Sequence, residues 1–160
     1  MIERIGRYTI DRKLGEGGMG VVYAAHDPRL ERSVAIKTVR GHEGDDAARQ
    51  RLWREARAAA RVSHPNVCQL HEIDEEDGVL YLVMELLEGE TLEARIARGA
   101  VPLEECLQIT LAILAALDAL HAQDVIHRSH GVPAATGGAR AGAVYQPGSL
   151  PRRFRFSLTL

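Results

Sequence analysis

Leu14-Gly15-Glu16-Gly17-Gly18-Met19-Gly20-Val21-Val22-Tyr23, followed further along by Val34-Ala35-Ile36-Lys37, decides how this chain folds. Glycines at this density admit positive φ and let backbone N–H groups approach phosphate oxygens without interference from a Cβ. The G-x-G-x-x-G pattern alone is weak, because a dinucleotide-binding loop carries it too. That loop would run into a helix. Here Val21–Ala25 reads as a strand, as does Tyr8–Leu14 before the glycines, so Gly15–Gly20 is the flexible tip of a hairpin. Ser33–Val39 is a third strand, rich in β-branched residues, and it carries Lys37, one of only two lysines in the chain. An ammonium group on an apolar strand needs an anionic partner, because an unpaired buried charge is costly. Glu55 and phosphate groups are the two candidates.

Working outward, Gly41–Asp46 is a polar loop, and residues 47–62 are Ala- and Arg-rich without Gly or Pro, which predicts a helix. His64-Pro65-Asn66 stops it. Val67–Ile73 and Val79–Met84 read as a second hairpin around the turn pair Asp77-Gly78. Thr91–Arg98 is a short helix with Thr91 as N-cap and Gly99 beyond its end. A longer helix begins at Pro102 and runs to about Ala122, with Glu104 and Glu105 suiting its N-terminus. Its apolar residues cover two faces, Leu103/Leu107/Leu111/Leu114 and Ile109/Ile113/Leu117/Leu120. Such a helix is expected to be buried on most sides.

With 160 residues, 46% hydrophobic and 26% charged, the chain has a globular composition, and its net charge of −2 excludes a generally basic nucleic-acid binder. Arg outnumbers Lys 18 to 2, which points to a GC-rich genome rather than to a function. The charge is unevenly spread. Residues 1–128 hold all 22 acidic residues against 16 basic ones, whereas residues 129–160 hold four arginines and no acid. That tail is rich in Gly, Ala and Pro and lacks any sustained period. A basic arm for nucleic acid or acidic membrane is the sharper reading of it. A shifted reading frame in GC-rich DNA, or a genuine alternative terminus, accounts better for so abrupt a change. Cys68 and Cys106 form neither a metal-ligand spacing nor a disulfide framework. The chain opens with no signal peptide, and its longest apolar stretch, Leu103–Leu120, is interrupted by charge. A cytoplasmic protein without a membrane span is the expectation.

The ordered motifs resemble the N-terminal part of a protein kinase domain, most closely the bacterial serine/threonine kinases of eukaryotic type. Gly15, Gly17, Gly20 and Val22 match the glycine-rich loop, and Val34–Lys37 the strand whose lysine holds the α- and β-phosphates. Glu55 matches the helix glutamate that pairs with this lysine, and His64-Pro65-Asn66 the loop after that helix. Met84-Glu85-Leu86-Leu87 matches the gatekeeper and hinge, with backbone groups of Glu85 and Leu87 facing adenine. Glu88–Leu92 resembles the link into the large lobe, and Val125-Ile126-His127-Arg128 the start of the catalytic loop. The resemblance implies an α+β fold: an antiparallel sheet with one helix over residues 1–86, then a hinge and the first helices of an incomplete helical lobe over 87–128. Residues 129–160 would be an atypical, disordered tail. It implies ATP as ligand, with contacts from Leu14, Gly15, Gly17, Gly20, Val22, Ala35, Lys37, Met84, Glu85 and Leu87. Lys37 and Glu55 are the surviving catalytic apparatus.

The pattern then departs. Where the family continues His-Arg-Asp-Leu-Lys-Pro, this chain reads His127-Arg128-Ser129-His130-Gly131-Val132. The catalytic aspartate's place is taken by Ser129, and the asparagine and Asp-Phe-Gly that hold Mg do not follow. The resemblance therefore implies phosphotransfer from ATP to protein hydroxyls as the family activity, with this chain alone inactive. The alternatives are a pseudokinase-like module that holds nucleotide or a partner kinase, and a truncated product without function. The leucine face of the last helix, deprived of its usual cover, predicts self-association. Three further features read blandly. The run Glu72, Asp74–Asp77 is a solvated hairpin tip rather than a metal site, and Arg54, Arg57 and Arg61 form a solvated helix face. His121, His127 and His130 lack a Cys or carboxylate to complete a zinc set.

Overall fold

The computed structural model describes residues 3–17, 20–39 and 46–123, together with the backbone of 143–145 and 154–156. After the short strand β1 (Arg4–Ile5), β2 (Tyr8–Gly17) and β3 (Gly20–Asp27) form the glycine-tipped hairpin. Their ladder runs further than the sequence suggests, through Gly15↔Val22 and Glu16↔Val21 to Gly17↔Gly20. Register shifts near Asp11 and Leu14 bend β2 along the way. β4 (Arg32–Val39) follows, then helix α1 (Asp46–Ala60). Helix α1 ends two residues earlier than predicted, because the N–H groups of Arg61 and Val62 reach back only to the carbonyls of Ala58 and Ala59 and tighten the last turn.

Strand β5 (Leu70–Glu76) begins later than the predicted Val67. Val67 is still occupied in the turn after α1, its N–H bonded to the carbonyl of His64. β5 and β6 (Val79–Glu85) form the predicted hairpin, with positive φ at both Asp77 and Gly78. The main sheet has the order β1-β2-β3-β4-β6-β5 and is antiparallel throughout. Period-two alternation divides its side chains between two cores. Ala35, Val39, Leu80, Leu82 and Met84 pack with Leu52, Ala56 and Ala59 of α1. Val34, Ile36, Tyr81 and Val83 pack on the other face with Ile5, Tyr8 and Ala25.

Beyond the sheet lie β7 (Glu90–Thr91), α2 (Leu92–Ala97) and α3 (Leu103–His121). Thr91 caps α2 as predicted, accepting a hydrogen bond from the N–H of Ala94 at 3.1 Å. Helix α3 is not buried on most sides, and its leucine face lacks the cover whose loss predicts self-association. Ile109, Ala116 and Leu120 are buried, but Leu103, Leu107, Leu111 and Leu114 remain 55–76% exposed. Within the segment 129–160, two β-favouring triplets, β8 (Ala143–Tyr145) and β9 (Phe154–Phe156), pair with β7 as a three-stranded sheet. The other residues of that tail, and the catalytic-loop positions Val125–Arg128 with Ser129, lie outside the described residues.

Candidate functional site

Antiparallel register gathers most of the sequence-predicted ligand residues onto one face of the sheet. Gly15, Val22, Lys37 and Leu82 stand in one cross-strand row, and Ala24, Ala35 and Met84 in a parallel one. Directly opposed residues point to the same side, so Val22, Ala35, Lys37 and Met84 share the α1-facing surface. Gly15 and Gly17 sit at the rim of this surface, where the β2–β3 hairpin leaves the sheet, and Leu14 is 38% exposed on β2. Gly20 has φ of +134°, and a Cβ placed there would come within 1.7 Å of the Thr38 carbonyl oxygen. No other residue fits at that position without moving backbone. Gly18 and Met19 lie outside the described residues.

Lys37 is half-buried, and desolvation pushes its pKa below the usual lysine value. Glu55 is half-buried on α1, on the helix that covers this same face. Among the described residues the two do not form an ion pair, and Lys37 meets no carboxylate. The Lys37–Glu55 contact implied by the resemblance is thus absent from this conformation. The result is an ammonium group held at the edge of an apolar surface with an anion-binding capacity to spare. An apolar platform of Val22, Ala35 and Met84, a cation and a glycine hairpin together suit a nucleotide such as ATP. Magnesium is different: among the described residues no group of three or more metal-ligating side chains occurs. Nothing described here fits that ion.

The hinge follows directly from β6. The Glu85 N–H donates to the Gln69 carbonyl at 2.9 Å, and the buried Cys68 thiol donates to the Glu85 carbonyl at 3.5 Å. Leu86 and Leu87 pack against the α1-side core. These contacts fix where the chain crosses away from the sheet, next to Met84.

Sequence reasoning missed the polar pairings of β5. The acidic run was expected to be simply solvated, yet four of its five members have partners. Glu72 accepts two hydrogen bonds from Arg7, at 3.0 and 2.6 Å, and one from the Tyr8 hydroxyl at 2.7 Å. Asp74 accepts from Tyr81, Glu75 pairs with Arg49, and Glu76 accepts from the Gly6 N–H. Burial first, then the negative charge of Asp74, pushes the Tyr81 phenol up to about 12. Glu105, read only as a favourable charge at a helix start, is buried and held at 2.9 and 3.0 Å by Arg95 of α2. Pairings this distant in sequence carry no local signal. The solvated reading of Arg54, Arg57 and Arg61 agrees with their exposure, although Arg57 lies 5.6 Å from the ring centre of Trp53.

Residues 8–129 match the protein kinase domain as a family. The chain is 41% identical over 125 residues to the serine/threonine-protein kinase PrkC of Bacillus subtilis, covering 77% of this chain and 19% of that protein. It is 40% identical over 133 residues to PksC of Streptomyces coelicolor, covering 77% of this chain and 24% of its relative. The fold superposes on the crystal structure of the Mycobacterium tuberculosis PknI kinase domain with a TM-score of 0.79 at 28% identity, covering 98% of this chain and 62% of that one. The chain therefore spans about a fifth of the length of these curated relatives and about three fifths of the solved domain. By fold, by motif order and by these matches, the chain belongs to the protein kinase family and is similar to its bacterial serine/threonine members.

Proposed function

We propose that this chain is the nucleotide-holding part of a serine/threonine protein kinase, binding ATP between the β2–β3 hairpin and the surface of Val22, Ala35, Lys37 and Met84. The family reaction moves the γ-phosphoryl group of ATP to a Ser or Thr hydroxyl, releasing ADP and passing the hydroxyl proton to a base. In that reaction Lys37 would neutralise the α- and β-phosphates, and the Glu85 and Leu87 backbone would meet adenine. The observation that carries the reading is Lys37 itself, a half-buried cation that meets no carboxylate among the described residues, set beside an apolar platform under a glycine hairpin. Burying such a charge without a partner is unfavourable unless an anion arrives to meet it.

Phosphotransfer needs more than this half. Ser129 stands where the family places its catalytic aspartate, and a serine hydroxyl cannot accept a proton at neutral pH as a carboxylate can. We therefore infer that the chain by itself binds ATP weakly, with a dissociation constant on the order of 0.1 mM or above. Its phosphotransfer should not exceed that of a Lys37→Ala control. Calorimetric titration with ATP, beside incubation with labelled ATP and a generic basic protein, tests both halves. An affinity in the submicromolar range, or turnover above the control, contradicts the reading. ATP binding without turnover supports the nucleotide-holding role over that of a chain with no function.

A further inference from the structure

We propose that Thr38 is a positioning residue that sets the height of the glycine-rich hairpin over the nucleotide phosphates, an inference that rests on the ATP-binding reading above. Strands β3 and β4 pair in register from Asp27↔Arg32 to Val22↔Lys37. One step further, Val21 and Thr38 stand opposite each other, and here a side chain replaces the backbone ladder. The Thr38 hydroxyl accepts a hydrogen bond from the Val21 N–H at 3.2 Å and donates one to the Val21 carbonyl at 3.3 Å. A single hydroxyl thus holds both backbone polar groups of the residue at which the hairpin leaves the sheet.

The neighbouring contact reinforces it. Gly20 presses its backbone against the Thr38 carbonyl so closely that an added Cβ would lie 1.7 Å from that oxygen. Beyond Val21 the hairpin pairs with β2 alone, through Glu16↔Val21 and Gly17↔Gly20. Val21 is also buried, so its side chain cannot swing freely. The hairpin is consequently a lever with its root clamped at Thr38 and Gly20 and with Gly17 beyond that clamp. Backbone N–H groups bind phosphate only within hydrogen-bond distance, and a small rotation at the root is magnified at the tip. Period-two alternation turns the Thr38 side chain to the face of the sheet away from Val22, Ala35, Lys37 and Met84, so its influence should fall on the phosphates and not on the base.

That separation supplies the test. Affinities for ATP and for adenosine are measured by chemical-shift titration of the whole chain, for wild type, Thr38→Val and Thr38→Ser. Valine keeps the shape and loses both hydrogen bonds, while serine keeps the hydroxyl. The expected result is a fall of about 3- to 10-fold in the ATP-to-adenosine affinity ratio for Thr38→Val, the size of one ordinary hydrogen bond, with adenosine binding unchanged. Thr38→Ser should recover the wild-type ratio within about twofold. An unchanged ratio in Thr38→Val, or an equal loss for both ligands, overturns the proposal, because a merely structural role would weaken both. Should wild type itself show no preference for ATP over adenosine, the phosphate-binding reading of the hairpin fails and this inference with it. Hydrogen exchange at the Val21 amide provides a readout that needs no ligand. Faster exchange in Thr38→Val than in Thr38→Ser supports the clamp, and equal exchange in both overturns it.

Discussion

Arg7 grips Glu72 through two hydrogen bonds although they come from opposite edges of the sheet, Arg7 from the turn between β1 and β2 and Glu72 from β5. The same guanidinium reaches the fully buried Asp27 at 3.5 Å and lies 4.5 Å from the centre of the Tyr8 ring. The sheet therefore curls until its edges meet, with Ile5, Tyr8, Val34, Ile36, Tyr81 and Val83 enclosed beneath the contact. Burial first, and then the hydrogen bond to Glu72, pushes the Tyr8 phenol pKa upward. The hydrogen bond to Glu72 raises that of Arg7.

Removing this closure should be expensive. Arg7→Ala leaves the Glu72 and Asp27 carboxylates without their guanidinium, and a loss of about 2 kcal/mol is expected in urea denaturation. Arg7→Lys should recover only part of it, because an ammonium group cannot make the paired bonds to one carboxylate. A loss below about 0.5 kcal/mol would show that the edges close without Arg7.

Asp27 gives the fold an acid sensitivity. Burial alone would raise its pKa, but hydrogen bonds from the Arg29 N–H, Arg7 and the Leu30 N–H outweigh burial and hold it below the usual carboxylate value. A carboxyl with a depressed native pKa binds fewer protons folded than unfolded as pH falls through the carboxylate range. Its contribution is therefore complete above the unfolded value, near 3.8, and is lost as pH falls through the lower folded value. The stability difference between wild type and Asp27→Asn should be largest near neutrality and narrow below about pH 4. A difference that stays constant down to pH 2 would contradict this.

Two glycines should differ in what mutation to alanine costs. Gly78 has positive φ but nothing within 4 Å of an added Cβ, so Gly78→Ala should cost about 1 kcal/mol. Gly20 has positive φ and the Thr38 carbonyl in the way, so Gly20→Ala should cost at least about 3 kcal/mol or displace the hairpin. Thermal unfolding of the two variants makes the comparison, and similar midpoints would refute it.

Lys37 is expected to trade stability for binding. Its pKa is lowered by burial, so the unfolded state binds more protons between the folded value and 10.5, and stability contributed at this site rises with pH across that window. At neutral pH, Lys37→Met should raise the stability of the ligand-free chain by up to about 1 kcal/mol. Addition of ATP should shift the melting temperature of wild type and leave that of the variant unchanged. A variant that melts lower than wild type without ligand would indicate that Lys37 has an anionic partner already.

The leucines of α3 should govern association. Leu107 is 56% exposed and Leu111 66%, so replacing both by Lys should change stability by less than about 0.5 kcal/mol. Wild type should show concentration-dependent association in sedimentation velocity, and the double variant should run as a monomer. A monomeric wild type would mean that this face is not sticky in solution.

Much of this molecule is local in origin and was open to inspection in the chain itself. The glycine hairpin, the Lys37 strand, the Asp77-Gly78 turn and the Thr91 cap each depend on residues a few positions apart, where φ preference, side-chain alternation and capping chemistry act directly. The order of these motifs also carried the family. Tertiary structure decided what depends on distance through space. It joined Arg7 to Glu72 across 65 residues and Arg95 to Glu105 across the α2–α3 turn. It kept Lys37 and Glu55 from pairing although both stand on the expected elements, and it seated the Thr38 hydroxyl on Val21. It also chose which face of α3 is covered, since two equally apolar faces compete and only packing against a neighbour separates them. Such contacts form between groups that sequence places far apart, and their geometry exists only once the sheet has curled and the helices have docked.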